Sequence, residues 1–149
     1  MVRTRHIFSM RLETLPILNI GQTPNGQRRI GIVKSGTIVG ERVQGKVLGG
    51  NDWQLLRPDG SLTLDVRLVF EAGEATPVTM SYRGVRHGPR AVIERLERGE
   101  VVDPASYYFR IAPLFEVGAG ELDWLNSIQA VGVGHRFPDG PVYTVFEIL

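Results

Sequence analysis

The sequence predicts an all-β fold: one domain over residues 1–149, an antiparallel, closed, calycin-like β-barrel of about eight to ten strands with one short helix. Three observations carry this prediction. Apolar and polar residues alternate with period two along most of the chain, the pattern of half-buried strands. Eighteen Gly and nine Pro in 149 residues supply frequent turns. Only one stretch has helical spacing, so the long crossovers that parallel strands need are missing. Antiparallel strands in a chain of this size close best into a barrel, which protects their edges.

The elements follow in order. Residues 2–12 place Val2, Thr4, His6, Phe8, Met10 and Leu12 on one face, which predicts a strand with His6 turned inward. Arg3, Arg5, Ser9 and Arg11 fall on the opposite, solvated face. Thr23-Pro24-Asn25-Gly26 is a turn, because Pro fixes φ and Asn-Gly tolerates positive φ. Arg29–Lys34 and Thr37–Leu48 read as strands separated at Ser35-Gly36. Gly49-Gly50-Asn51 reads as a further break before a short extended Asp52–Arg57, and Pro58-Asp59-Gly60 as a turn.

Leu62–Glu71 alternates cleanly, with Leu62, Leu64, Val66, Leu68 and Phe70 on one face. Ala72-Gly73-Glu74 then turns the chain into Thr76–Gly84. Pro89–Arg98 is the helix: Pro opens it, Val92, Ile93 and Leu96 form a stripe, and Gly99 stops it. Ser106–Val117, Ile128–Phe137 and Val142–Leu149 are the last strands, with a single helical turn over Glu121–Leu125.

Composition narrows the function classes. The chain has no cysteine, which excludes a disulfide scaffold, a thiolate metal site and a cysteine nucleophile. Seventeen bases against sixteen acids, interleaved, give a net charge of +1 and argue against a nucleic-acid surface. The N-terminus lacks an apolar signal core, and no apolar run is long enough to span a membrane, so a cytoplasmic protein is expected. Gly132-Val133-Gly134-His135-Arg136-Phe137 approaches a nucleotide loop but sits in a strand pattern, where its glycines leave lumen space or allow a bend. His6, His87 and His135 lack ligand spacing, so neither metal nor cofactor is expected.

Polar and aromatic residues cluster in three places. The densest cluster runs from Gly49-Gly50-Asn51-Asp52-Trp53 to Leu64-Asp65-Val66-Arg67. Asp65 and Arg67 project from one face of a strand, as a pair that orients a polar ligand or as an ion pair on the outer wall. The second cluster is Tyr107-Tyr108-Phe109-Arg110 with Phe115-Glu116, and the third is Trp124-Leu125-Asn126. Aromatic side chains with a few convergent polar groups suit a small-molecule pocket, and equally the core and end-plugs of a barrel.

At these residues the chain resembles a known family, the proteins described as domain of unknown function 3237. The resemblance runs from Pro24 nearly to the C-terminus. It rests on Gly49-Gly50-x-Asp52-Trp53, Arg57-x-Asp59-Gly60, Leu64-Asp65-x-Arg67, Tyr82-x-Gly84, Tyr108-Phe109-Arg110, Phe115-Glu116, Trp124-Leu125-Asn126 and Gly132-x-Gly134-x-Arg136. Val33-Lys34-Ser35-Gly36 departs from the family pattern, which has a Gly pair there. The resemblance implies an all-β barrel and brings no settled reaction. It also implies that the polar motif residues line a mouth or lumen, with ladders between neighbouring strands as the competing account.

The expected function is that of a small-molecule-binding barrel performing cofactor-independent acid–base chemistry, of isomerase, lyase or cyclase type, on a small organic or aromatic metabolite. Asp52 and Glu116 are the candidate carboxylates, and Tyr82 the candidate hydrogen-bond donor. Arg67, Arg110 or Arg136 would hold an enolate or carboxylate, with Arg67 counted in the catalytic set. Trp53, Tyr108 and Trp124 would supply ring contacts, and His6, Asp65 and Asn126 further ligand contacts. One alternative is a non-catalytic carrier or sensor using the same lumen. Another is an interaction module whose interior is filled by Phe8, Met10, Leu68 and Phe70. An outer face that keeps apolar residues would let two barrels pair as a homodimer in any of the three.

Overall fold

The computed structural model describes all of residues 1–149. The strands are β1 (Thr4–Thr14), β2 (Leu18–Thr23), β3 (Gly26–Val39), β4 (Gly45–Leu56), β5 (Leu62–Ala72), β6 (Thr76–His87), β7 (Tyr108–Val117), β8 (Ala130–Phe137) and β9 (Gly140–Ile148). The helix α1 spans Arg90–Glu97. Every strand pair is antiparallel, and the sheet runs β1-β9-β8-β7-β6-β5-β4-β3-β2. A further pairing of β1 with the second half of β3, Ser9↔Val39 to Thr14↔Val33, closes eight strands into a barrel. β2 is the extra strand, paired with the first half of β3.

The alternation in the sequence sets the register. Leu62, Leu64, Val66, Leu68, Phe70 and Ala72 of β5 are all buried. Their partners on β6 run in step from Leu62↔Arg86 to Ala72↔Thr76. A slip by one residue would turn the whole apolar row to solvent. Pro89, Ile93, Leu96 and Gly99 behave as the sequence predicts, since α1 buries Ile93 and Leu96. A helical turn lies at Asp123–Ser127, two residues beyond the expected Glu121–Leu125, and a further one at Pro104–Ser106.

Three expectations need correction. First, a β-bulge between His6 and Phe8 shifts the phase of β1, so Ile7 is buried and His6 is exposed. Second, Ser35-Gly36 does not break β3. Gly36 sits where β1 crosses, and a Cβ there would lie 2.5 Å from the Arg11 carbonyl oxygen. Third, Gly49-Gly50 lies inside β4, where a bulge falls between Val47 and Gly49 and a Cβ on Gly50 would meet the Arg67 carbonyl oxygen at 2.3 Å. These glycines permit close backbone approach at barrel bends. The chain reverses instead at Gly40–Gln44, where the Gln44 side-chain amide donates to the Gly40 carbonyl.

The barrel interior has two unlike halves. At one end Phe8, Met10, Leu68, Phe70, Met80 and Phe115 are all buried. Phe8 meets the rings of Phe70 and Phe115 edge-on, each at 5.9 Å between centroids. This half is the packed interior expected of an eight-stranded barrel. The other half is hollow.

Candidate functional site

The hollow half is a cavity of about 380 Å³. Leu64, Val66, Phe109 and Tyr143 line its depth, and the mouth is framed by Leu15-Pro16-Ile17, by Leu96 to Glu100 of the helix region, and by Phe137-Pro138. Its volume lies at the lower end of the range for ligand pockets and suits a molecule of one or two rings.

The inward rows of β4, β6 and β8 carry polar residues at the cavity. On β4, Asp52 and Gln54 line the cavity. On β6, Tyr82 is followed by Gly84 and Arg86, all on the inner face. On β8, Gly132, Gly134 and Arg136 share a face. The two glycines leave space that the Ile111 and Phe109 side chains occupy, since a Cβ on Gly134 would lie 2.7 Å from the Phe109 ring. Asp52, Val66 and Tyr82 stand on one rung of the sheet through the pairs Asp52↔Val66 and Val66↔Tyr82.

Asp52 is 8 % exposed. Burial pushes its carboxyl above the ordinary aspartate value, against the opposing effect of two hydrogen bonds. Gln54 Nε2 donates to Oδ2 at 2.8 Å and the Asp65 backbone N–H to Oδ1 at 3.2 Å. Tyr82 and Tyr143 meet edge-on at 5.5 Å between ring centroids. Burial raises both phenols well above their ordinary value, and the nearby Asp52 carboxylate adds to the rise, so both stay protonated donors.

From Asp52 a polar chain leads outward to the helix. Arg29 Nε donates to Gln54 Oε1 at 3.2 Å, and Arg29 Nη1 donates to Glu97 Oε2 at 2.8 Å. Arg86 Nη2 donates to the other oxygen of Glu97 at 2.6 Å. Burial alone would raise the Glu97 carboxyl, but the two guanidinium groups outweigh it and hold it below the ordinary value. Arg136 also lines the cavity, and its guanidinium makes neither a hydrogen bond nor an ion pair with any carboxylate. Its position is fixed through its backbone, whose N–H donates to the Tyr107 hydroxyl at 2.9 Å.

Of the twelve residues the sequence singles out, Asp52, Tyr82 and Arg136 therefore meet at the cavity. Asp65 touches it only through its backbone bond to Asp52, for its side chain and that of Arg67 lie on the exposed face of β5. Glu116 lies on the exposed face of β7. The reason is the same for all three: an apolar neighbour at every second position claims the interior. His6 is displaced by the bulge and packs beside Phe146. Of the aromatic candidates, Trp53 and Tyr108 are exposed and Trp124 is half-buried against the core away from the cavity, each with a guanidinium group over its ring. Arg28 lies over Trp53, Arg110 over Tyr108 and Arg42 over Trp124, the last at 3.6 Å. Asn126 is a staple, accepting from the Val117 N–H and donating to the Val117 carbonyl, each at 2.9 Å.

Sequence reasoning does not single out Arg29, Gln54 and Tyr143, and it reads the basic cluster Arg83, Arg86, His87 and Arg90, with Glu94 and Glu97 after it, as a solvated loop; the structure instead buries Arg86 and places Arg86 and Glu97 at the cavity. A signal for Arg86 was present: it shares parity with Val78, Met80 and Tyr82, so a charge continues an apolar row. No group of three or more His, Asp or Glu side chains is gathered as a metal site. No helix is long and apolar enough to cross a membrane.

Comparison with known proteins places this geometry among relatives. Residues 2–148 match the family described as protein of unknown function DUF3237. The UPF0311 protein RPA1785 of Rhodopseudomonas palustris is 33 % identical over 149 residues, covering 99 % of this chain and 97 % of that one. Its crystal structure, described as that of a conserved protein of unknown function, superposes with a TM-score of 0.96 over 100 % of this chain and 99 % of that one. A β-barrel-like protein from Acinetobacter baumannii is 28 % identical with a TM-score of 0.87, covering 100 % and 97 % of the two chains. An enzyme from Penicillium herquei shares the fold at 17 % identity, with a TM-score of 0.75 over 99 % and 95 %.

Proposed function

The chain belongs to the DUF3237 family of proteins of unknown function, and from that premise we propose that its cavity binds a small organic molecule and exchanges protons with it without a cofactor. The reaction is of isomerase, lyase or cyclase type. Asp52 is the proton-transfer group, and the Tyr82–Tyr143 pair donates hydrogen bonds to the oxygen on which charge develops. The observation that carries this reading is the state of Asp52. It is a buried carboxyl facing a cavity, and burial raises its pKa toward the range useful for acid–base work.

A carrier or sensor is the second reading. It is favoured by the bonds on Asp52, since both oxygens already accept N–H groups and the Asp65 N–H depends on one of them. The two readings separate on turnover. Small aromatic and carbonyl compounds are screened for binding by ligand-observed NMR, and those that bind are incubated in D2O. The enzyme reading expects deuterium to enter a bound compound, or a new product to form, with wild type and not with Asp52→Asn. Binding that survives in Asp52→Asn, with no exchange or product from either protein, assigns the cavity to a carrier. Glu116→Gln, on the outer wall, serves as the unaffected control.

A further inference from the structure

We infer that the cavity recognises a small carboxylate: an apolar or aromatic body carrying one carboxyl group, which Arg136 binds. This deepens the reading of the cavity as a small-molecule site and rests on it.

The charges around the cavity are equal in number but not all paired. Arg29, Arg86 and Arg136 line it, opposed by Glu97, Asp52 and Glu100. The Glu100 carboxylate is held away by Arg95 and Arg98, at 3.2 and 3.0 Å. Glu97 is shared by Arg29 and Arg86: Oε2 accepts from Arg29 at 2.8 Å, and Oε1 accepts from Arg86 at 2.6 Å and from Arg29 at 3.4 Å. Asp52 bonds to an amide side chain and a backbone N–H, not to a guanidinium. One carboxylate thus answers two arginines, and Arg136 has none. Arg86 is 6 % exposed, and its Nε finds no acceptor in the protein, so its charge is incompletely compensated behind the cavity wall. Arg136 is half-buried and lines the cavity without a carboxylate partner, and a partly desolvated cation kept in that way is placed for an incoming anion.

The shape of the site selects the kind of anion. A guanidinium offers paired N–H groups that match a planar carboxylate. Part of the cavity wall is apolar, formed by Leu64, Val66, Phe109, Phe137 and Pro141. Those walls accept a hydrocarbon or aromatic body, beside the polar row of Asp52, Gln54, Tyr82 and Tyr143. Burial and the like charge of Arg86 both lower the Arg136 pKa, as expected of a cation held without a counter-ion.

The test compares benzoate and phenylacetate with benzamide and phenylacetamide, which have the same shapes without the charge. Dissociation constants are measured by titration calorimetry on the full chain at neutral pH. The carboxylates are expected to bind at least tenfold tighter than the amides. In Arg136→Gln that preference falls to about one while the amides bind as before, and Arg136→Lys restores part of it. Circular dichroism and the melting midpoint confirm that both variants are folded. If amides and acids bind wild type equally, or if Arg136→Gln keeps the preference, the carboxylate assignment is overturned and the cavity remains a ligand site. If none of the four compounds binds, both the carboxylate assignment and the small-molecule reading fall.

Discussion

Replacing Glu97 by Gln isolates the charge that ties helix α1 to the barrel. In wild type the carboxylate accepts from Arg29 at 2.8 Å and from Arg86 at 2.6 Å. The Arg86 side chain is 7 % exposed and that of Glu97 38 %, so the pair is neither fully buried nor a surface pair. Breaking a fully buried pair costs about 3–5 kcal/mol and an exposed one about 0–1, which places this site near 2 kcal/mol. For a domain of this size that lowers the melting midpoint by about 4–8 °C. The pH dependence identifies the source. The folded protein holds the Glu97 carboxyl below its ordinary 4.5, so its contribution is complete above that pH and is lost as pH falls through the folded value. Paired thermal melts of wild type and Glu97→Gln should therefore differ at neutral pH and converge in acid. A midpoint difference that stays constant from pH 7 into acid, or is absent at pH 7, would refute the reasoning.

Three further outcomes are expected. Asn126→Ala leaves the Val117 N–H and carbonyl without their partner and should cost about 1–3 kcal/mol in denaturant unfolding, with ligand binding at the cavity unchanged. Gly134→Ala drives a methyl into the Phe109 ring and should cost about 1–3 kcal/mol, and Phe109→Leu in the same chain should recover part of it. Arg67→Gln and Glu116→Gln, on exposed strand faces, should each change stability by less than about 0.5 kcal/mol and leave cavity binding intact.

Alternation made most of the barrel legible. The rows Leu62–Phe70 and Val78–Tyr82 announce both strand and inner face, because burying one side of a pleated strand leaves period two in the sequence. The helix was readable from Pro89, its apolar stripe and Gly99. The β3–β4 region was not, because Gly36 and Gly50 look like turn residues yet serve to let strands approach. No local signal separates those two uses, which depend on a strand distant in sequence. The site was legible in part for the same reason. Asp52, Tyr82 and Arg136 stand in dense motifs, but the motifs also contain their outward neighbours Trp53, Asp65 and Tyr108. Parity, more than motif membership, separates the groups. Glu97 reads as part of a solvated, charged stretch because a glutamate on a short surface helix has nothing local to mark it; only closure of the barrel brings Arg29 and Arg86 beneath it.

The unequal halves of the barrel interior have an evolutionary consequence. The phenylalanine-filled end fastens the strands, whereas the open end is bounded largely by connecting segments: Leu15-Pro16-Ile17, the stretch from Leu96 to Glu100, and Phe137-Pro138. Substitutions in those segments reshape the opening without loosening the aromatic plug. A lineage built on this plan can vary its rim and inherit the foundation unchanged.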